Sequence, residues 1–221
     1  MVNRVGLIAP RAVLDKGLVV CDDVLGSDRT IIDAARFCYQ SEGTPDTDRK
    51  LLQRLVVSRP AHNTVFEHVV FRFRVKCPIF VARQWMRHRI GTFNEKSLRY
   101  CTASPEYYVP SDLSEQNRAW YIRHCSNSFD LYTALVESGM KKEQARGVLP
   151  MAMYTEFLWT VNAWSLMNWF EKRLDPAAQW EHRQYARAIM GIFRMALPIT
   201  GKAFSELIEK DTHNNHDKSN C

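Results

Sequence analysis

The stretch VVFRFRVKCPIFVARQWMRHRIGTFNEKSLR, residues 69–99, decides the reading of the fold. It opens with an alternation: Phe71, Phe73 and Val75 are apolar, and Arg72 and Arg74 stand between them. That is the period of a half-buried β-strand over Val69–Val75. Cys77-Pro78 ends it, and Pro78 suits the first turn of a helix, where a missing N–H is no loss. On a wheel of about 100° per residue, a helix from Ile79 to about Arg89 puts Ile79, Val81, Ala82, Trp85 and Met86 on one half. Arg83, Gln84, Arg87 and His88 fall on the other. The helix so read has an apolar back and a donor-rich front. It delivers Arg87-His88-Arg89 into a loop that continues through Glu95, Ser97 and Arg99.

Arginine presents a planar fork of donors that matches phosphate geometry. Several forks with a hydroxyl and a carboxylate among them suggest a site for a phosphorylated ligand with polar edges. Ile90, Phe93 and Leu98 punctuate the run, which distinguishes it from a charged tail. The balance over the whole chain agrees, since Lys and Arg exceed Asp and Glu by 6. That favours anionic partners, either nucleic acid or small phosphorylated molecules. Arginines lying among apolar residues favour a pocket.

Outward from that stretch, 221 residues with 46% hydrophobic and 24% charged suit one globular domain, residues 1–221. Arg4 and Arg11 bracket only a short apolar run, Val5 to Pro10, which is no signal peptide. No apolar run approaches the roughly 18 residues of a membrane span, so a cytoplasmic protein is expected. Cysteines 21, 38, 77, 101, 125 and 221 form no Cys-x-x-Cys pair, so no zinc knuckle or dithiol site is signalled.

Val13–Val20, interrupted by Lys16-Gly17, reads as a hairpin or short strand. Asp28 or Thr30 caps a helix to about Gln40, and a second helix spans Asp48–Ser58 before Arg59-Pro60. Gly91–Pro110 reads as loop with short extended pieces. Ser114–Ser138 is a long helix closed by Gly139. Tyr154–Leu174, rich in tryptophan, reads as helix. Asp175-Pro176 opens a last long helix, Ala177 to about Leu197, and Asp211–Cys221 reads as a frayed polar tail.

Two further clusters carry chemistry. In His62-Asn63-Thr64-Val65-Phe66-Glu67-His68 the His-Glu-x-x-His spacing of a zinc helix is absent, so hydrogen bonding to a polar ligand ring is preferred to metal. Asn162, Asn168 and Arg173 lie in the tryptophan-rich segment. If that segment is one helix, Asn162 and Arg173 share nearly one face and Asn168 points about a third of a turn away. Ser97 has no base in sequence that a third group would orient, so a phosphate contact is preferred to a nucleophile.

Arg87-His88-Arg89, seven residues and then Ser97 resembles the signature of the flavin-dependent thymidylate synthases. The His62–His68 stretch resembles that family's His-x-Thr-Pro-Phe-Glu-His segment, with Val65 in the proline's place. Trp159–Asn168 resembles its flavin- and substrate-contacting segment, with Trp164 where arginine is frequent. Glu143-Gln-Ala-Arg146-Gly-Val-Leu-Pro150 matches a substrate-binding segment. The likeness spans roughly Asp15 to Leu197.

The resemblance implies an α+β fold, a small antiparallel sheet packed with long helices. It implies methylation of dUMP at C5 to dTMP, with carbon from 5,10-methylenetetrahydrofolate and electrons from NADPH through FAD. It places Gln84, Arg87, Ser97, Arg99, Arg146 and Arg173 on dUMP, with Arg173 as the activating arginine. It places Thr64, Arg87, His88 and Arg89, and also Glu95, Asn162 and Asn168, on FAD. It implies a homotetramer with shared active sites and neither a nucleic-acid nor a membrane partner. Two rival classes remain on sequence alone: a nucleic-acid-binding protein, suggested by the basic balance, and another flavoenzyme acting on a nucleotide without folate.

Overall fold

The structure is a computed structural model that describes residues 8–218, with side chains described as far as Lys210. Its centre is a five-stranded antiparallel sheet in the order β1-β2-β3-β5-β4. The strands are β1 (Arg11–Val13), β2 (Gly17–Leu25), β3 (Val70–Pro78), β4 (Thr92–Glu95) and β5 (Tyr154–Asn162). β1 and β2 form the expected hairpin, turning through Leu14 at φ 58. β3 is central: Phe71, Phe73 and Val75 are fully buried, while Arg72 and Arg74 face outward.

The helices are α1 (Asp28–Phe37), α2 (Pro45–Val57), α3 (Thr64–Glu67), α4 (Ile79–Trp85), α5 (Glu115–Glu137), α6 (Lys142–Ala145), α7 (Ala163–Arg173), α8 (Trp180–Ala196) and α9 (Pro198–Lys218). The sheet and long helices are the α+β arrangement expected. α5 begins at Ser114, whose hydroxyl accepts from the Asn117 N–H, and ends before Gly139 at φ +93, a left-handed conformation that glycine adopts without strain.

The largest departure is at Tyr154–Leu174, which is not one helix. Phe157, Trp159 and Val161 are buried while Glu156 and Leu158 are exposed, the alternation of a strand. Aromatic and β-branched residues on a two-residue period outweigh the segment's apparent helical bulk. The chain becomes helical only at Ala163, where Asn162 Oδ1 accepts the Ser165 N–H at 2.8 Å as an N-cap. Asn162 and Arg173 therefore bracket α7, roughly 16 Å apart along its axis, and do not share a helical face.

Other boundaries also move, among them the start of α2, which is Pro45 behind its N-cap Thr44 and not Asp48. α4 stops at Trp85, so Arg87, His88 and Arg89 follow the helix instead of lying on it. α8 begins at Trp180, because Asp175 Oδ1 accepts the Ala177 N–H and holds residues 175–178 in a turn. Ser27, not Asp28 or Thr30, is the N-cap of α1. Asp28 serves a distant helix: its carboxylate accepts from the Ile199 and Thr200 N–H groups at 2.8 and 3.1 Å, at the start of α9. The α9 backbone continues as far as Lys218 through the stretch read as a polar tail, and residues 219–221, with Cys221, lie outside the described residues. Among the described residues no helix is long and apolar enough to cross a membrane.

Trp85 anchors the core under the arginine-rich turn. Its ring lies 4.8 Å from that of Trp169, 5.1 Å from that of His182, and 5.4 Å from those of Phe157 and Trp159. Gly91 lets the chain after Arg89 pass close over this cluster, since a Cβ there would stand 2.8 Å from Trp159 Nε1. A side chain at 91 would push β4 off the sheet edge.

His182 is fully buried, and among the described residues neither ring nitrogen has a hydrogen-bond partner. Burial, reinforced by the nearby Arg173 and His88, holds its pKa down at about 3. The unfolded chain therefore binds more protons than the folded one as pH falls from about 6.5, and stability drops through that window. Replacing His182 with leucine is expected to flatten this dependence. In melts at about pH 7.5 and about pH 5, the variant should lose fewer degrees than the parent. An equal loss in both would show that His182 is not an acid-labile group.

Candidate active site

The residues singled out in the sequence fall into several groups on loops and helix ends. In the first, Arg173 in the last turn of α7 reaches back to the turn after α4. Its Nε donates to His88 Nε2 at 3.0 Å and its Nη2 to the Gln84 carbonyl at 3.1 Å. Its Nη1 makes no hydrogen bond among the described residues. The guanidinium is thus pinned on two arms with one left for a ligand.

Burial and the Arg173 charge lower the His88 pKa to about 4, so its ring is neutral near pH 7. Because Arg173 donates to Nε2, the neutral ring carries its proton on Nδ1 and can offer that N–H to a ligand. Burial also lowers the pKa of Arg173, which stays protonated as arginines do. Arg87 and Arg89 flank His88 as exposed side chains, with no hydrogen bond or ion pair among the described residues. Gln84 meets Arg173 through its main-chain carbonyl.

A second group joins two distant segments. Arg99 Nε donates to Glu143 Oε2 at 3.3 Å, and Arg146 Nε donates to the Glu143 carbonyl at 3.3 Å. Arg146 opens the short 3-10 turn Arg146–Val148 that follows α6. Ser97 heads the turn leading to Arg99, its hydroxyl accepting the Arg99 N–H at 3.3 Å. Two guanidinium forks and a hydroxyl so placed suit a phosphate. Glu143, within a quoted motif but not itself singled out, is the residue that brings the two arginines together.

The remaining positions are spread around these. Glu95, at the end of β4, accepts the Thr155 hydroxyl at 2.7 Å. Asn162 spends its carbonyl oxygen on the α7 cap. Asn168 Oδ1 accepts from Arg59 Nη2 at 2.7 Å. Thr64 lines a cleft of about 890 Å³ with His62, Asn63, Lys50 and Arg54. Among the described residues no group of three or more His, Cys, Asp or Glu side chains could hold a metal ion.

Arg59 and His182 were not read as site residues. Arg59 stands before Pro60 and reads in sequence as a helix terminator. His182 lies in α8 with no neighbouring motif. Only the fold carries either one to the site.

Comparison with known proteins follows the same lines. The family model described as thymidylate synthase complementing protein matches residues 19–199. A flavin-dependent thymidylate synthase of Thermosipho melanesiensis is 44% identical over 212 residues, 87% of this chain and 92% of the relative. The chain belongs to the flavin-dependent thymidylate synthases. A member from Thermotoga neapolitana is 46% identical over 201 residues, again 87% of this chain and 92% of the relative. Among solved structures, the UMP/dUMP methylase PolB from Streptomyces cacaoi, bound with 5-Br dUMP, is similar at a TM-score of 0.79 and 27% identity. That match covers 89% of this chain and 97% of PolB.

Proposed function

We propose that this single-domain protein catalyses reductive methylation of dUMP, in which dUMP, 5,10-methylenetetrahydrofolate, NADPH and a proton give dTMP, tetrahydrofolate and NADP⁺. The observation that carries the reading is the pinned Arg173: a half-buried guanidinium held by His88 and the Gln84 carbonyl, with one arm open. A cation so fixed stabilises negative charge developing on a uracil carbonyl and makes C5 more nucleophilic.

Arg99, Arg146 and Ser97 suit the nucleotide phosphate, and Gln84 and Arg87 complete the dUMP contacts. The residues present also fit a flavin dinucleotide. The cleft beside Thr64 falls within the usual volume for a ligand of that class and has cationic walls at Lys50 and Arg54. Thr64, Arg87, His88, Arg89, Glu95, Asn162 and Asn168 would hold FAD, the arginines serving its pyrophosphate and the neutral donors its ring. When bound, FAD supplies the two-electron chemistry with NADPH as reductant, and the protein binds, orients and polarises.

Within one chain the proposed contacts fall into several groups: Arg173 with His88, Arg99 and Arg146 at Glu143, and Asn168 with Arg59. A homotetramer in which each active site draws on more than one subunit would let such groups meet around one pair of ligands. A cytoplasmic setting fits the substrates.

The test is reconstitution. The purified protein should carry oxidised flavin or bind added FAD, with the yellow absorbance of the cofactor. It should then form dTMP only when dUMP, 5,10-methylenetetrahydrofolate and reductant are all supplied. A folded, colourless protein that takes up no FAD would refute the reading.

A further inference from the structure

Arg59 follows α2 and is buried, with 6% of its side chain exposed. One face of α7 grips it through Trp164, Asn168 and Glu171, positions spaced to lie above one another on a helix. Its guanidinium carbon lies 4.4 Å from the centre of the Trp164 ring and 5.0 Å from that of Phe204 in α9. Nη2 donates to Asn168 Oδ1 at 2.7 Å. Nη1 sits 3.0 Å from Glu171 Oε1, in ion-pair range but not aligned for a hydrogen bond, and Nε has no hydrogen-bond partner among the described residues. A buried cation held between two rings, a carboxylate and an amide has little freedom to reorient.

A guanidinium has donors only. The Asn168 amide therefore has to turn its oxygen to Arg59, which turns its NH₂ the other way. Asn168 is half-buried, so that NH₂ end can meet a ligand. The geometry points to Arg59 as a positioning residue that fixes Asn168 as a hydrogen-bond donor toward an acceptor atom of the flavin. This rests on the proposed reading that Asn168 lines the flavin site. Without Arg59 the amide is free to flip and present its oxygen, which an acceptor on the ligand would repel. Trp164, where the family often carries arginine, is here the platform on which Arg59 stacks.

The experiment titrates FAD and dUMP separately into the cofactor-stripped protein and its variants, with a thermal melt of each. Arg59→Gln is expected to weaken FAD binding by about 5–150-fold, as for a buried acceptor left without its donor. It should leave dUMP binding within about twofold, as for a distant independent site. Arg59→Lys keeps the charge without the fork and should recover part of the loss. Asn168→Asp keeps a partner for Arg59, and with it the fold, but deletes the donor. It should lose FAD affinity to a similar degree with no fall in melting temperature, and if Arg59→Gln does not fold, weakened FAD binding with unchanged dUMP binding in Arg59→Lys decides the matter. A parent that binds FAD beside variants that bind it equally well overturns this inference alone. Equal weakening of FAD and dUMP in Arg59→Gln, unrelieved by lysine, also overturns it, because that is a general structural effect. A parent that takes up no FAD refutes the functional reading, and this inference with it.

Discussion

Arg173→Ala is expected to lower dTMP formation by about 10²–10³, the usual effect of removing one preorganised donor from a site of developing negative charge. Its binding of FAD and the reduction of that flavin by NADPH should persist. The division follows from how Arg173 is held. Two of its arms are spent on His88 Nε2 and the Gln84 carbonyl, which aim the guanidinium and leave Nη1 without a hydrogen bond among the described residues. Arg173→Lys should restore only part of the rate, because an ammonium keeps the charge but loses the planar fork that reaches both partners. Anaerobic flavin reduction followed by a single-turnover dTMP assay separates the two steps. If reduction collapsed while transfer stayed normal, Arg173 would belong to the reductive half-reaction.

Arg99→Ala is expected to weaken dUMP binding by about 10–150-fold, the loss of a charge-assisted contact worth roughly 1.5–3 kcal/mol. FAD binding should change much less. In the chain alone Arg99 is paired with Glu143 at 3.3 Å, and both side chains are substantially exposed, at 55% and 42%. Such a pair contributes little to stability, so a dianionic phosphate can replace the carboxylate at small cost and the variant should fold normally. Separate titrations of dUMP and FAD decide this. Equal weakening of both ligands would place Arg99 outside the phosphate site.

The same residues show how far the sequence could be read. β3 was legible because Phe71, Phe73 and Val75 alternate with arginines on an otherwise two-sided strand. α5 was legible because Ser114 and Gly139 mark its ends. β5 was misread because Trp159, Trp164 and Trp169 supply apolar bulk on both sides of the strand-to-helix junction. The junction itself depends on Asn162 acting as a cap. Within the site, the arginine-rich turn and the Glu143–Pro150 segment were both visible, but their meeting was not. The Arg99–Glu143 pair spans a long loop and all of α5, so only tertiary packing creates it. Arg59 was invisible for the same reason, since its partners lie more than a hundred positions along the chain. The contact of His88 with Arg173 is likewise tertiary, joining the turn after α4 to the last turn of α7.

The most direct test of the account is the yield of dTMP per reduced flavin in a single anaerobic turnover. Protein loaded with FAD, reduced by NADPH and freed of excess reductant is mixed with dUMP and 5,10-methylenetetrahydrofolate, and both dTMP and reoxidised flavin are measured. The account predicts that the two rise together in equal amounts and that oxidised enzyme gives no dTMP. Formation of dTMP by flavin-free protein, or flavin reoxidation without dTMP in the presence of both substrates, would contradict it.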